Sequence, residues 1–255
     1  MKKILPFYLF MIPIIVIGQN QKLDDLLILL DEVELSTTIL DNYLNEGKES
    51  PKGKNYIRSI ERWERELFGG YFQKMYRVEI YKRKRLKNHY NLNIIRKNKK
   101  IIYFSLFDFK NNKYEKEGVR QGYVDLVQLH KDRLKINSKV DIKHKYFNPG
   151  KLIMVGFGCG AGGTPSESYR LIEQLVYERD KGEVLEWCKS LMPEVRCLGA
   201  IGLKQLEYNG VELSQDEKKM MDLISQDGTL IYYCQGKNKQ VPNKSYTSIL
   251  AKRQH

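Results

Sequence analysis

The stretch KLIMVGFGCGAGGTPSESYRLIEQLV (151–176), continued by EVLEWCKSLMPEVRCLGAIGLKQLEYNGVELSQDEKKMMDLIS (183–225), decides how the chain is read. It predicts a short apolar strand over 152–157, a glycine-rich loop, and then a run of helices. Thr164, followed by Pro165 and by Glu167 three residues on, predicts the first helix start. There the hydroxyl and the carboxylate satisfy backbone N–H groups reciprocally, and proline fills a first-turn position that needs no donor. Leu171, Ile172, Leu175 and Val176 recur at helical spacing, and Gly182 marks a break. A second helix carries Val184, Leu185, Trp187, Cys188 and Leu191. A third begins at Pro193, carries Val195, Leu198, Ile201, Leu203 and Leu206, and ends at Asn209-Gly210, residues that tolerate a left-handed conformation. Ser214 and Glu217 form another capping box ahead of Met220, Met221, Leu223 and Ile224, and Gly228 stops that helix. Such short connections make successive helices antiparallel neighbours.

Working back toward the start, Leu23, Leu26, Leu27, Leu30, Val33, Ile39, Leu40, Tyr43 and Leu44 predict one amphipathic helix or two short ones. Ile57, Ile60, Trp63, Leu67 and Phe68 predict a further helix closed by Gly69-Gly70. The pattern then turns aromatic and β-branched. Phe72 to Tyr81, Asn91 to Ile95 and Ile101 to Phe107 read as antiparallel strands, with turns at 96–100 and 111–113. Tyr123 to Leu134 reads as a helix, and Leu230 to Tyr233 as a last strand. The class is therefore α+β. N-terminal helices and a small antiparallel sheet occupy 19–150, a glycine loop and helical bundle 151–236, and a polar basic tail 237–255. Asn148-Pro149-Gly150 is the best boundary.

Pro193-Glu194-Val195-Arg196, followed by Leu198, Ala200, Ile201 and Leu203, resembles the second half of a HEAT repeat, over about one repeat unit. The resemblance implies a HEAT-like helical bundle and not a long solenoid, since an array needs about three or more repeats. It implies no activity and no functional residues.

The chain has 255 residues and a formal net charge of +13. It opens Met-Lys-Lys and continues with an apolar run from Ile4 to Ile17. Val16 and Gly18 stand at the minus-three and minus-one positions of a cleavage before Gln19, so 1–18 reads as a secretory signal peptide. A membrane anchor is the alternative, but the run falls short of the ~20 residues of a span and contains Pro6 and Pro13. No later stretch is apolar enough to cross a bilayer. The expected destination is the periplasm or the outside of the cell. In that oxidising setting four cysteines read as disulfides, and of the three pairings the nested one, Cys159 with Cys234 and Cys188 with Cys197, is expected. A four-cysteine zinc site lacks any CxxC pair, and no cofactor is expected.

Two features could carry chemistry. Lys82, Arg83, Lys84, Arg85 and Lys87, with Lys97, Lys99 and Lys100 nearby, form a basic patch in which Glu79 is the only acid between 74 and 100. Such a cluster repels itself and faces water or an anionic partner. Export disfavours nucleic acid and favours an anionic envelope polymer, phospholipid head groups or an acidic protein. The second feature is Gly158-Cys159-Gly160-Ala161-Gly162-Gly163, which satisfies GxGxxG after a strand and before a helix. No strand follows that helix to complete a βαβ unit, and no lysine precedes Thr164 as a P-loop needs. Cys159 could act as a nucleophile with His89, His130 or His144 as base, although a disulfide accounts for it more simply. The expected function is a non-enzymatic exported interaction protein. The alternatives are a thiol-dependent hydrolase or transferase and an inhibitor or immunity-type protein.

Overall fold

The computed structural model describes residues 21–32, 34–46, 56–82, 85–137, 155–159, 162–236 and 242–245. The expected signal peptide, the 148–150 boundary and most of the basic tail lie outside these residues. Two helices, α1 (Gln21–Asp31) and α2 (Thr37–Glu46), precede a five-stranded antiparallel meander. Its strands are β1 (Tyr56–Phe68), β2 (Tyr71–Lys82), β3 (Arg85–Lys97), β4 (Lys100–Asp108) and β5 (Lys113–Val119), neighbours in chain order. After α3 (Tyr123–Leu134) come β6 (Val155–Cys159) and the helices α4 (Glu167–Tyr177), α5 (Lys181–Cys188), α6 (Pro193–Tyr208) and α7 (Gln215–Ser225). Strands β7 (Leu230–Gly236) and β8 (Pro242–Ser245) complete a second sheet, with β7 parallel to β6 and antiparallel to β8. The class is α+β.

The helix expected over 57–68 is a strand. Trp63, Arg65 and Leu67 turn inward on alternate positions, the period of a strand. Ile57, Ile60 and Phe68 also fall at helical spacings, which is why the two readings overlap. Gly69-Gly70 settles the matter locally. Both glycines have positive φ, 57° and 75°, so they form the two-residue hairpin turn whose twist matches the flanking strands. Asn98 takes the same left-handed region, φ 55°, between β3 and β4.

Each face of the sheet is covered. On one, Leu26, Leu30, Leu40 and Leu44 from α1 and α2 pack on Val78, Leu92 and Leu106. On the other, Leu67, Tyr71, Ile95 and Tyr103 meet Leu126 of α3 and Leu191, Met192 and Val195 at the start of α6. The sheet and the helical part therefore share an apolar cluster, each fully buried leucine of which contributes about 2 kcal/mol.

Two buried ion pairs stand at that junction. Arg65 of β1 pairs with Glu194 of α6, their side chains 1% and 2% exposed, and Arg196 pairs with Asp227 at 2.9 Å. Arg196 also donates to the carbonyls of Ser190 and Leu191, which holds the α5–α6 connection against the sheet.

Two local expectations about the helical part need correction. Helix α4 is capped by Ser166, whose hydroxyl accepts from the Tyr169 N–H, and not by Thr164. The Thr164 carbonyl accepts from the Cys159 N–H and the Ser166 N–H donates to Gly156, so the chain stays extended for two residues more. The break after α4 falls at Arg179, φ 58°, and Gly182 lies inside α5. The tail, read from its residues only as polar and basic, supplies β8. The capping box of Ser214 and Glu217 is present in full, and Gly210, φ 80°, follows α6.

Cys159 and Cys234 are bridged, with Cα atoms 5.3 Å apart, and the bond ties β6 to β7. A Cβ added at Gly156 would overlap both sulfurs, so a glycine is required there. The second expected bridge is absent. Cys188 and Cys197 are free thiols, both fully buried in the helical core. Burial pushes both thiols well above their ordinary range, which removes the thiolate that disulfide exchange requires.

Candidate functional site

A meander sorts its connections by end. The β1–β2 and β3–β4 turns share one end of the sheet, and the β2–β3 and β4–β5 turns share the other. The basic residues expected to form one patch are divided by this rule. Lys82, Arg85 and Lys87 lie at one end of β3, while Lys97, Lys99 and Lys100 lie at the other, roughly 40 Å away at strand rise. Arg83 and Lys84 fall outside the described residues. The eight residues are thus not one surface.

The far group is engaged locally. Lys97 Nζ donates to the Tyr71 hydroxyl at 3.2 Å and lies 4.7 Å from the centre of its ring. The Lys99 carbonyl accepts from the Thr37 N–H at 2.9 Å, and Lys100 pairs with Glu34 at 3.5 Å.

The near group lines a cleft of about 950 Å³. Three further cations join it from elsewhere in the chain: Lys22 from the first turn of α1, Lys110 from the β4–β5 turn and Lys113 from the start of β5. Leu23, Ile80 and Tyr90 supply its less polar lining. Lys22 has a partner in Asp25 at 3.7 Å and Lys113 in Glu115 at 3.3 Å. Lys82, Arg85, Lys87 and Lys110 have no ion pair among the described residues. The cleft's other carboxylate, Asp108, does not serve them. It is buried, and it accepts from the Asn88 amide at 2.8 Å, the Lys110 N–H at 2.7 Å, and both the N–H and the amide of Asn111.

Those bonds fix the turn and set the local electrostatics. Burial works to raise the Asp108 carboxyl, but the hydrogen bonds from Asn88, Asn111 and Lys110 outweigh it and hold the group below the ordinary carboxylate range. Tyr90 is pushed up to about 12 by burial and then by the Asp108 charge, so it is a neutral hydroxyl at physiological pH. Tyr81 of the cleft lining stacks on Tyr56 at 4.7 Å, and at the same end of the sheet His89 stacks on Phe109 at 4.9 Å. The arrangement can hold an anion. It presents no nucleophile beside a base.

The glycine loop offers no such chemistry. Cys159 is bridged, and Gly160 and Ala161 lie outside the described residues. His144 also lies outside them, and His89 is engaged with Phe109. Among the described residues no three His, Cys, Asp or Glu side chains are grouped to hold a metal ion. Asp24 and Asp31 are exposed on α1, and Asp31 pairs with Lys116.

His130 is structural. Its ring lies 5.6 Å from that of Phe68, and Nε2 donates to the Lys189 carbonyl at 3.0 Å. Burial first, and then the Arg196 charge, push its pKa down from 6.5 to about 3. The folded protein therefore keeps this ring neutral while the unfolded chain protonates it. The unfolded state binds more protons between these two values, so the stabilisation is full above 6.5 and is lost as pH falls toward 3. We expect urea-unfolding free energy to decline through that window by up to about 1.4 kcal/mol per pH unit, and His130→Gln to flatten the decline.

No protein-family model, curated protein or solved structure matches the chain. Among the described residues no helix is long and apolar enough to cross a membrane.

Proposed function

We propose that the protein is a non-enzymatic binding protein of the cell envelope, exported by its leader, that takes an anionic partner into the cationic cleft. One observation carries this reading. Six cations from three separated segments converge on one cleft, and four of them lack an ion pair among the described residues. Gathering like charges without counter-charges opposes folding, and a bound anion relieves that repulsion. The Cys159–Cys234 bridge agrees with an oxidising compartment and leaves the thiol-transfer alternative without its nucleophile. The helical part is the scaffold in this reading, with α5 packed against α6 as the HEAT-like pair. No catalytic step is assigned.

The test is binding to immobilised polyglutamate across a salt series. Affinity should fall steadily with salt, because screening weakens each contact. Lys82→Glu, Arg85→Glu, Lys87→Glu and Lys110→Glu combined should abolish binding. Lys97→Glu, Lys99→Glu and Lys100→Glu combined, at the opposite end of the sheet, should leave it intact. Equal loss in both variants would show nonspecific attraction to a basic protein and would remove the cleft as the site.

A further inference from the structure

We propose that the cleft end of the sheet is a membrane-docking surface, and that its partner is a bilayer carrying anionic phospholipid. This rests on the cleft reading above and names the partner of that site. The β2–β3 and β4–β5 turns emerge side by side, because β3 and β4 are hydrogen-bonded neighbours. Beside them stand two exposed apolar side chains, Leu86 at the start of β3 and Phe109 just past the end of β4, 44% and 40% exposed. Phe109 is held in place by the His89 stack and by the edge of Phe107 at 5.6 Å. Arg85 and Lys87 flank Leu86 in the chain, Lys110 follows Phe109, and Lys82 pairs with Arg85 at the same end of the sheet.

A polyanion in water satisfies the cations but gives Leu86 and Phe109 nothing. The interface of an anionic bilayer satisfies both. Headgroup phosphates meet the Lys and Arg side chains, whose long stems allow their heads to stay at the headgroup level, and the acyl boundary receives the apolar tips. The cleft at this same end of the sheet, with Leu23 and Ile80 as its apolar walls, has room for a single headgroup and its glycerol. Docking is then peripheral and reversible, since two side chains are a shallow anchor and the rest of the attraction is electrostatic.

The experiment is vesicle sedimentation with the chain from Gln19 onward, which retains every described residue and omits the apolar leader. The vesicles are phosphatidylcholine with or without phosphatidylglycerol, and soluble polyglutamate serves as the second ligand. Wild type should bind the phosphatidylglycerol vesicles and not phosphatidylcholine alone. Arg85→Gln with Lys110→Gln should weaken partitioning about 30-fold at low salt. Leu86→Ser with Phe109→Ser should bind polyglutamate as wild type does but lose the vesicle binding that survives high salt. Unchanged salt-resistant binding in that variant would overturn the docking proposal. Wild type that binds polyglutamate and not vesicles would overturn it too, while leaving the cleft reading in place. Binding to neither ligand would sink both.

Discussion

Glu194→Leu lowers the unfolding free energy by about 3–5 kcal/mol, because it strands a guanidinium inside the protein. Arg65 donates from Nη1 and Nη2 to the two carboxylate oxygens of Glu194, from Nε and Nη2 to Gln73 Oε1, and from Nη1 to the Leu230 carbonyl. Glu194 also accepts from the Tyr232 N–H at 2.7 Å. The pair therefore joins β1, β2, α6 and β7 at one point with almost no water access. Leucine fills most of the volume, so a large loss reports the missing counter-charge and not a cavity. Adding Arg65→Met should recover part of the loss, since it removes the stranded charge, although Gln73 and the β7 backbone groups still lack their partners. A urea midpoint at unchanged slope reads both variants. A cost below about 1 kcal/mol for Glu194→Leu would mean that solvent reaches the pair and that the junction is not sealed.

Cys159→Ser with Cys234→Ser is the second large loss, about 4.5 kcal/mol in the chain-entropy account. The bridge closes a loop with a sequence separation of 75, and breaking it returns that freedom to the unfolded chain. A reductant should produce the same drop in wild type. Cys188→Ala with Cys197→Ala should leave that reductant sensitivity unchanged, because these two thiols stay reduced in the core. Thiol titration of the denatured, unreduced chain gives an independent check. Two titrating thiols agree with the single bridge between Cys159 and Cys234. Four would remove the bridge, and none would restore the nested pairing.

Much of the helical part could be read directly from residue order. Pro193 at the start of α6, Ser214 with Glu217 at the start of α7, and Gly210 after α6 each act within one turn of their own position. Local hydrogen bonding decides such signals, so no distant contact can hide them. The Ile57–Phe68 segment was legible only in part. Its apolar residues fit both periods, and the deciding signal was Gly69-Gly70, a hairpin dipeptide that also ends helices. Thr164 misled for a related reason. Its hydroxyl could cap, but a backbone bond from Cys159 draws the residue into the neighbouring strand.

The candidate site shows the limit most clearly. Lys82, Arg85 and Lys87 stand together in the sequence and in space, because they sit around one hairpin turn. Lys22, Lys110 and Lys113 join them only through the fold, and Lys97, Lys99 and Lys100 leave them because a strand separates its two ends by its whole length.

From the order of residues alone come the α+β class, the starts of α6 and α7, the strand character of 72–81, 91–95 and 101–107, and the cationic balance. All of these depend on neighbours a few positions apart or on simple counting. Only the tertiary structure decides which cations share a cleft, which cysteines meet, and that Arg65 and Glu194 face each other 129 positions apart. Those outcomes depend on distance in space, and chain packing sets that distance after local structure has formed.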